Sequence, residues 1–190
     1  MHDHGREVDT ASPAPGSLEV VRSFVSLHDH ELRDPESLPP SPDSLEWWFR
    51  TNGLIGDEDP AGADDLIWAA EIQAALRAGV AENMGARPDP VALATLDRAA
   101  AQTELRVRFQ DQRLRPEAGG VRGAVGALVG IAFLARLDGS WRHLKDCGNP
   151  TCRGVFFDRS KNHSGKWCSM QTCGNRAKVR AFRERRARSR

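Results

Sequence analysis

The sequence predicts an α+β protein: a mainly α-helical N-terminal domain carrying a short β-hairpin, then a small cysteine-clustered module that ends in a basic helix. Three observations predict it. Apolar residues recur at helical spacing through most of residues 18–137, interrupted by one alternating stretch at 103–114. All 4 cysteines of the 190-residue chain (Cys147, Cys152, Cys168, Cys173) fall in its last quarter. The charge is divided: residues 141–190 hold 14 Lys+Arg against 3 Asp+Glu, and residues 1–140 hold 13 against 23, behind a net charge of only +1. Such segregation points to nucleic-acid contact by the basic part, with a solvated basic tail as the alternative.

Residues 1–17 are polar and rich in Pro, Gly and Ser, and are expected to be a disordered tail. Leu18, Val21 and Val25, with Phe24 off the exact period, begin a helix. The stretch 34–43 holds Pro35, Pro39, Pro40 and Pro42 and reads as a loop. Asp43-Ser44 is expected to cap a helix with Leu45, Trp47, Trp48 and Phe49, stopped by Asn52-Gly53. Trp47, Trp48 and Trp68 are expected in the core; a ligand pocket is the alternative.

After an acidic loop at 57–63, Asp64/Asp65 begin a helix whose inward face is Leu66, Ile67, Ala70, Ile72 and Leu76, fading at Gly79 or Gly85. Pro88-Asp89-Pro90 opens a helix over 91–101 with Leu93 and Leu96 inward. In 103–114, Leu105, Val107 and Phe109 share one face and Arg106 and Arg108 the other, a strand signature that Asp111-Gln112 can turn into a hairpin. Gly119-Gly120 leads into a nearly all-apolar helix over 121–137, expected at the centre of the core. Its Gly126 and Gly130 would let another element approach closely, and Asp138-Gly139 breaks it.

The cysteines read C-x4-C, fifteen residues, C-x4-C. A tetrahedral zinc site takes four soft ligands, and two close pairs can each wrap one side of an ion. The intervening segment suits a hairpin, with Val155-Phe156-Phe157 on one strand and Trp167 on the return. Ser169 suits a helix N-cap, which sets Cys173 in the first turns, where the helix dipole favours a thiolate. The last ~45 residues are too few to bury a core of their own. A structural zinc worth about 10–16 kcal/mol is the usual compensation. In a reducing compartment, clustered cysteines favour metal over disulfides. The opening MHDHGREVDT has no apolar signal region. The longest nearly uncharged apolar stretch, 124–135, is about half of the ~20 residues a spanning helix needs. The expectation is therefore a cytoplasmic, nucleoid-associated protein with no membrane partner.

From Cys147 the chain reads Cys147-Gly148-Asn149-Pro150-Thr151-Cys152, then Phe157-Asp158-Arg159-Ser160-Lys161-Asn162, Trp167-Cys168-Ser169-Met170 and Cys173-Gly174-Asn175-Arg176-Ala177-Lys178. Over about 144–185 it resembles the CGNR zinc finger of bacteria. In that family the finger follows an N-terminal domain called ABATE, and the whole is classed as a stress-induced transcription regulator. Phe24-Val25, the Asp34-Pro35 loop, the Trp47/Trp48 helix and the Ala-rich helix before the finger fit in order. The family often has Asn-Thr after its early Phe-Val pair; Ser26-Leu27 stands here. The resemblance implies a treble-clef-like, four-cysteine zinc finger with one structural Zn2+ on Cys147, Cys152, Cys168 and Cys173. It divides the chain into a tail (1–17), an ABATE-like regulatory domain (18–140) and the finger with its basic helix (141–190). It also implies a sensing or dimerising role for the upstream domain, hence a homodimer and a small-molecule effector as partners.

Beyond the cysteines, Arg176, Arg180 and Arg183 form one helical stripe, flanked by Lys178, Arg185 and Arg186, while Val179 and Phe182 are expected to face the finger. An arginine-laden helix suits phosphates or a major groove. Arg159, Lys161 and Lys166 add candidate phosphate contacts, and Asn175 joins the DNA-binding set. Asn162 either adds a contact or forms a turn. The expected function is a DNA-binding transcription regulator; an RNA-binding or ribosome-associated zinc protein is the alternative, since a basic helix serves either. No enzyme is expected: the chain has no H-x-E element, and four thiolates leave a zinc no open position. His143 is four residues from Cys147 but the thiolates already close the site, and His163 is expected in solvent. His28-Asp29-His30 lacks a third metal ligand and reads as solvated or hydrogen-bonding.

Overall fold

The computed structural model describes residues 11–27, 41–57, 59 and 61–188. The His28-Asp29-His30 segment, most of the proline-rich stretch and residues 1–10 of the expected tail lie outside the described residues. Within residues 11–17, Ala14 is buried and the Ser12 carbonyl accepts from the Phe157 N–H at 3.0 Å.

Helix α1 (Leu18–Ser26) buries Leu18, Val21, Phe24 and Val25 along one face. Helix α2 (Pro42–Thr51) starts earlier than the Asp43-Ser44 reading. Its N-cap is Ser41, whose Oγ accepts from the Ser44 N–H at 3.3 Å, with Pro42 preset for the first turn. Phe24, Trp48 and Phe49 form an aromatic cluster with ring centres 5.1–5.8 Å apart. Trp48 is buried and donates Nε1–H to Ser23 Oγ, whereas Trp47, expected in the core, is 57% exposed.

Helix α3 (Ala63–Glu82) runs straight through Gly79 and buries Leu66, Ile72, Leu76 and Val80. Ile67, expected inward, is exposed. At Gly79 an added Cβ would meet the end of the Arg136 side chain and lie 3.4 Å from the Trp141 ring, and the Gly79 carbonyl accepts from Trp141 Nε1–H. Helix α4 (Pro90–Gln102) is capped by the Asp89 carboxylate on the Val91 and Ala92 N–H groups. It packs through Ala92 and Ala99, with Leu96 half-buried and Leu93 38% exposed. Small residues let two helices approach closely, which a leucine face would prevent.

Strands β1 (Arg106–Arg108) and β2 (Arg113–Arg115) form the expected hairpin, Val107 opposite Leu114, turning at Gln112 with φ 55°. Only Leu105 and Leu114 reach the core side; Val107 and Phe109 overhang and are exposed. Helix α5 (Gly120–Asp138) is the central helix. A Cβ on Gly126 would meet Thr103 and Pro116, and one on Gly130 would meet Leu114, so β2 and the residues flanking the hairpin approach the helix closely. By length and composition α5 would suffice to cross a membrane, but 56% of that window is buried by the rest of the protein, as suits a core helix. Gly139, at φ 80°, ends it in the left-handed conformation.

A 3-10 turn (Trp141–His143) leads into β3 (Leu144–Asp146), paired antiparallel with β4 (Val155–Phe157). Trp141, Leu144, Val155 and Phe157 belong to the same hydrophobic cluster as the helices. A π-helical turn (Met170–Gly174) then runs into α6 (Asn175–Arg188).

Candidate metal centre and basic helix

The β3–β4 hairpin lies on either side of the first cysteine pair. Cys147 donates N–H to the Gly154 carbonyl, Cys152 to the Asn149 carbonyl, and Arg153 takes φ 56° to close the turn. The expected hairpin between the pairs is absent: Trp167 lies on no return strand, and 158–169 is irregular. The second pair straddles a helix start. Cys168 precedes Ser169, whose Oγ accepts from the Thr172 N–H, and Cys173 lies in the π-helical turn.

Two contacts bring the pairs together. The Gly148 N–H donates to the Lys166 carbonyl at 2.7 Å. The Trp167 indole lies between two glycines: a Cβ on Gly148 would come within 3.1 Å of it, and one on Gly174 within 3.4 Å. The CGNR glycine thus makes room for Trp167 and for Met170, whose sulfur would be 2.9 Å from that Cβ.

The four sulfurs all lie within 4.8 Å of one another. Cys152 and Cys168 are 3.5 Å apart, Cys168 and Cys173 3.7 Å. A tetrahedron with Zn–S bonds of ~2.3 Å has edges of about 3.8 Å, so the donors fit the ion. The backbone N–H groups of Asn149 and Cys168 point to Cys147 sulfur, and that of Gly154 to Cys152. The Cys152 thiol holds Cys147 down, to about 5, and is itself pushed up in return; burial raises Cys168 to about 12. Four thiols this close do not all ionise without a cation, and a divalent ion supplies that charge. The cluster is the site of one structural Zn2+.

Buried Asn149 joins this centre to α6. Its Nδ2 donates to Cys173 Sγ at 3.6 Å, and its Oδ1 accepts from Arg180 Nη2 at 3.1 Å. Arg180 thus stands beside the metal centre rather than wholly outward.

The first half of the finger is bound to the helical body. Arg77 of α3 donates to Asp146 Oδ1 at 2.8 Å, the Arg153 carbonyl at 2.6 Å and the Val25 carbonyl at 2.8 Å. Burial raises the Asp146 carboxyl pKa, and Arg77 opposes that shift. Buried Arg22 donates to the Val155 carbonyl at 2.7 Å, and Ser26 Oγ accepts from the Val155 N–H at 3.0 Å. Asn83 Nδ2 donates to the carbonyls of Trp141 and Leu144.

Asp158, buried, organises the loop that follows. Its carboxylate accepts from Lys145 Nζ at 2.7 Å and from the N–H groups of Ser160 and Gly165, each at 2.9 Å. Burial works against its charge, but these donors outweigh it and hold the carboxyl well below the usual range. Arg159 donates to the Pro13 carbonyl and lies over the Phe157 ring. Lys161, Asn162 and Lys166 are exposed on this loop. His143 is no metal ligand: it stacks on Phe157 with its Nδ1 at the Asp158 carbonyl, and His163 packs edgewise on it.

On α6, Arg176, Lys178, Arg183 and Arg186 are exposed, and Asn175 donates its amide to the Gln171 carbonyl. The expected seam is reversed. Val179 is 50% and Phe182 57% exposed, while Ala177 and Ala181 take the inner side behind buried Cys173 and Gly174. Asn149 and Asp158 carry a faint sequence signal, as polar residues inside the motif; Arg77, 69 residues before its partner Asp146, carries none.

The curated proteins contain no match to this chain. Residues 143–186 match the family model of the CGNR zinc finger, and all four clustered cysteines lie within that match.

Proposed function

We propose that the protein binds duplex DNA through α6 and the loop at 158–166, with zinc holding both in place. The observation that supports this most is α6 itself, whose 14 residues carry 7 basic side chains and 1 acidic one. Its outer faces are exposed, and the module that carries it is joined to an acidic body. Such a helix neutralises phosphates and releases their counterions. On this reading Arg176, Lys178, Arg183 and Arg186 make the principal contacts. Lys161 and Lys166 add to them, Arg159 and Arg180 are shared with the scaffold, and Asn175 stands at the helix start. The upstream helices are then an ABATE-like domain that senses a signal or dimerises, and the whole is a cytoplasmic transcription regulator.

Binding of the zinc-loaded protein to genomic duplex fragments, measured against salt, tests the reading. Three to five neutralised phosphates give a log–log slope of about −3 to −4.5. No measurable duplex binding overturns it.

A further inference from the structure

The side of α6 farthest from the finger is apolar at its centre. Ala177 and Ala181 lie on the inner side, and Val179, two residues from Ala177, is turned from it by about 200°. Val179 and Phe182 therefore form an outward ridge, 50% and 57% exposed, with Arg186 continuing it one turn on. Arg176 and Arg183 line one flank of this ridge, and Lys178 lies on the other. An apolar ridge between two cationic flanks does not match a flat protein face, which would bury the apolar pair only by stripping water from the cations. It matches the B-DNA major groove, about 12 Å wide, with phosphates on both walls and thymine methyl groups on its floor. A helix is about 10–12 Å across with its side chains, so it fills that groove.

We propose that Val179 and Phe182 are the residues of α6 that read sequence, by apolar contact with thymine C5-methyl groups, while the flanking cations set position on the phosphates. The proposal rests on the duplex-binding reading above and adds the bases the helix prefers. It assigns specificity to the two apolar side chains and affinity to the arginines.

The test uses the full zinc-loaded chain and a duplex selected by it from a random pool. That duplex is compared with the same sequence carrying uracil for thymine, which removes only the methyl groups. Wild type should lose about fourfold in affinity for each contacted methyl removed. Val179→Ala/Phe182→Ala, changes at two exposed positions, should bind both duplexes alike and keep the wild-type salt slope, whereas Arg176→Ala/Arg183→Ala should flatten the slope and keep the thymine preference. Equal wild-type affinity for the thymine and uracil duplexes overturns the ridge proposal and leaves duplex binding standing. Loss of self-association in Phe182→Ala, with thymine and uracil duplexes bound alike by wild type, assigns the ridge to a second copy of the chain and also overturns it. Tighter binding to structured RNA overturns it too, because the A-form major groove does not admit a helix. Absence of all duplex binding overturns the underlying reading itself.

Discussion

Arg180 reaches back from α6 to Asn149, Nη2 to Oδ1 at 3.1 Å, and the same amide donates its Nδ2 to the sulfur of Cys173. One buried side chain thus connects a zinc ligand to the basic helix. Groups that orient metal ligands typically contribute 10–100-fold to metal affinity. Asn149→Ala should therefore weaken zinc binding by about that factor in chelator competition. Unchanged competition would show that the amide orients nothing.

Arg77 is the corresponding link on the body side. Its guanidinium meets Asp146 and two backbone carbonyls at once, which a lysine ammonium on a single point cannot reproduce. Both Arg77→Ala and Arg77→Lys should lower unfolding stability in urea, the alanine variant by about 2–4 kcal/mol. Full rescue by lysine would contradict the fork geometry.

Asp158 predicts a pH dependence. Its folded pKa lies below the unfolded value of ~3.9, so its charge contributes fully above about pH 4, and the contribution is lost as pH falls further. Asp158→Asn should cost about 2–4 kcal/mol near neutrality, because Lys145 loses its anionic partner. The stability gap between wild type and variant should stay flat from about pH 7 to 5 and narrow below about 4. Thiolate protonation acts on both proteins alike and cancels in the difference. A gap that widens toward acid would contradict this account.

Cys168→Ser, or a strong chelator, removes a module-folding energy of about 10–16 kcal/mol. The segment from Lys166 onward should then become open to proteolysis, while the core around Phe24, Trp48 and α5 stays protected. Equal protection of both parts would show that the finger folds without metal.

The ligand set is legible in the sequence because cysteine spacing is local: two C-x4-C pairs can close on an ion whatever the rest does. Helix identities are legible for the same reason, from caps such as Asp89 and breakers such as Gly53 and Gly139. Periodicity places Ile67, Leu93, Val179 and Phe182 on a face, but it does not say which face a neighbour covers. Ala92 and Ala99 are buried where α4 packs, and on α6 the half-buried positions are Ala177 and Ala181. The segment after β4 reads as a return strand yet forms a loop, because Asp158, not a backbone ladder, holds it. Arg77 is invisible in the sequence because its partners are assembled only by the fold.

The dependence of duplex binding on zinc is decided by titrating metal-free protein with the ion. If zinc folds the finger and thereby presents α6, binding should rise with added metal and saturate at one ion per chain, in step with recovery of protease resistance beyond Lys166. Equal duplex affinity with and without zinc would contradict it.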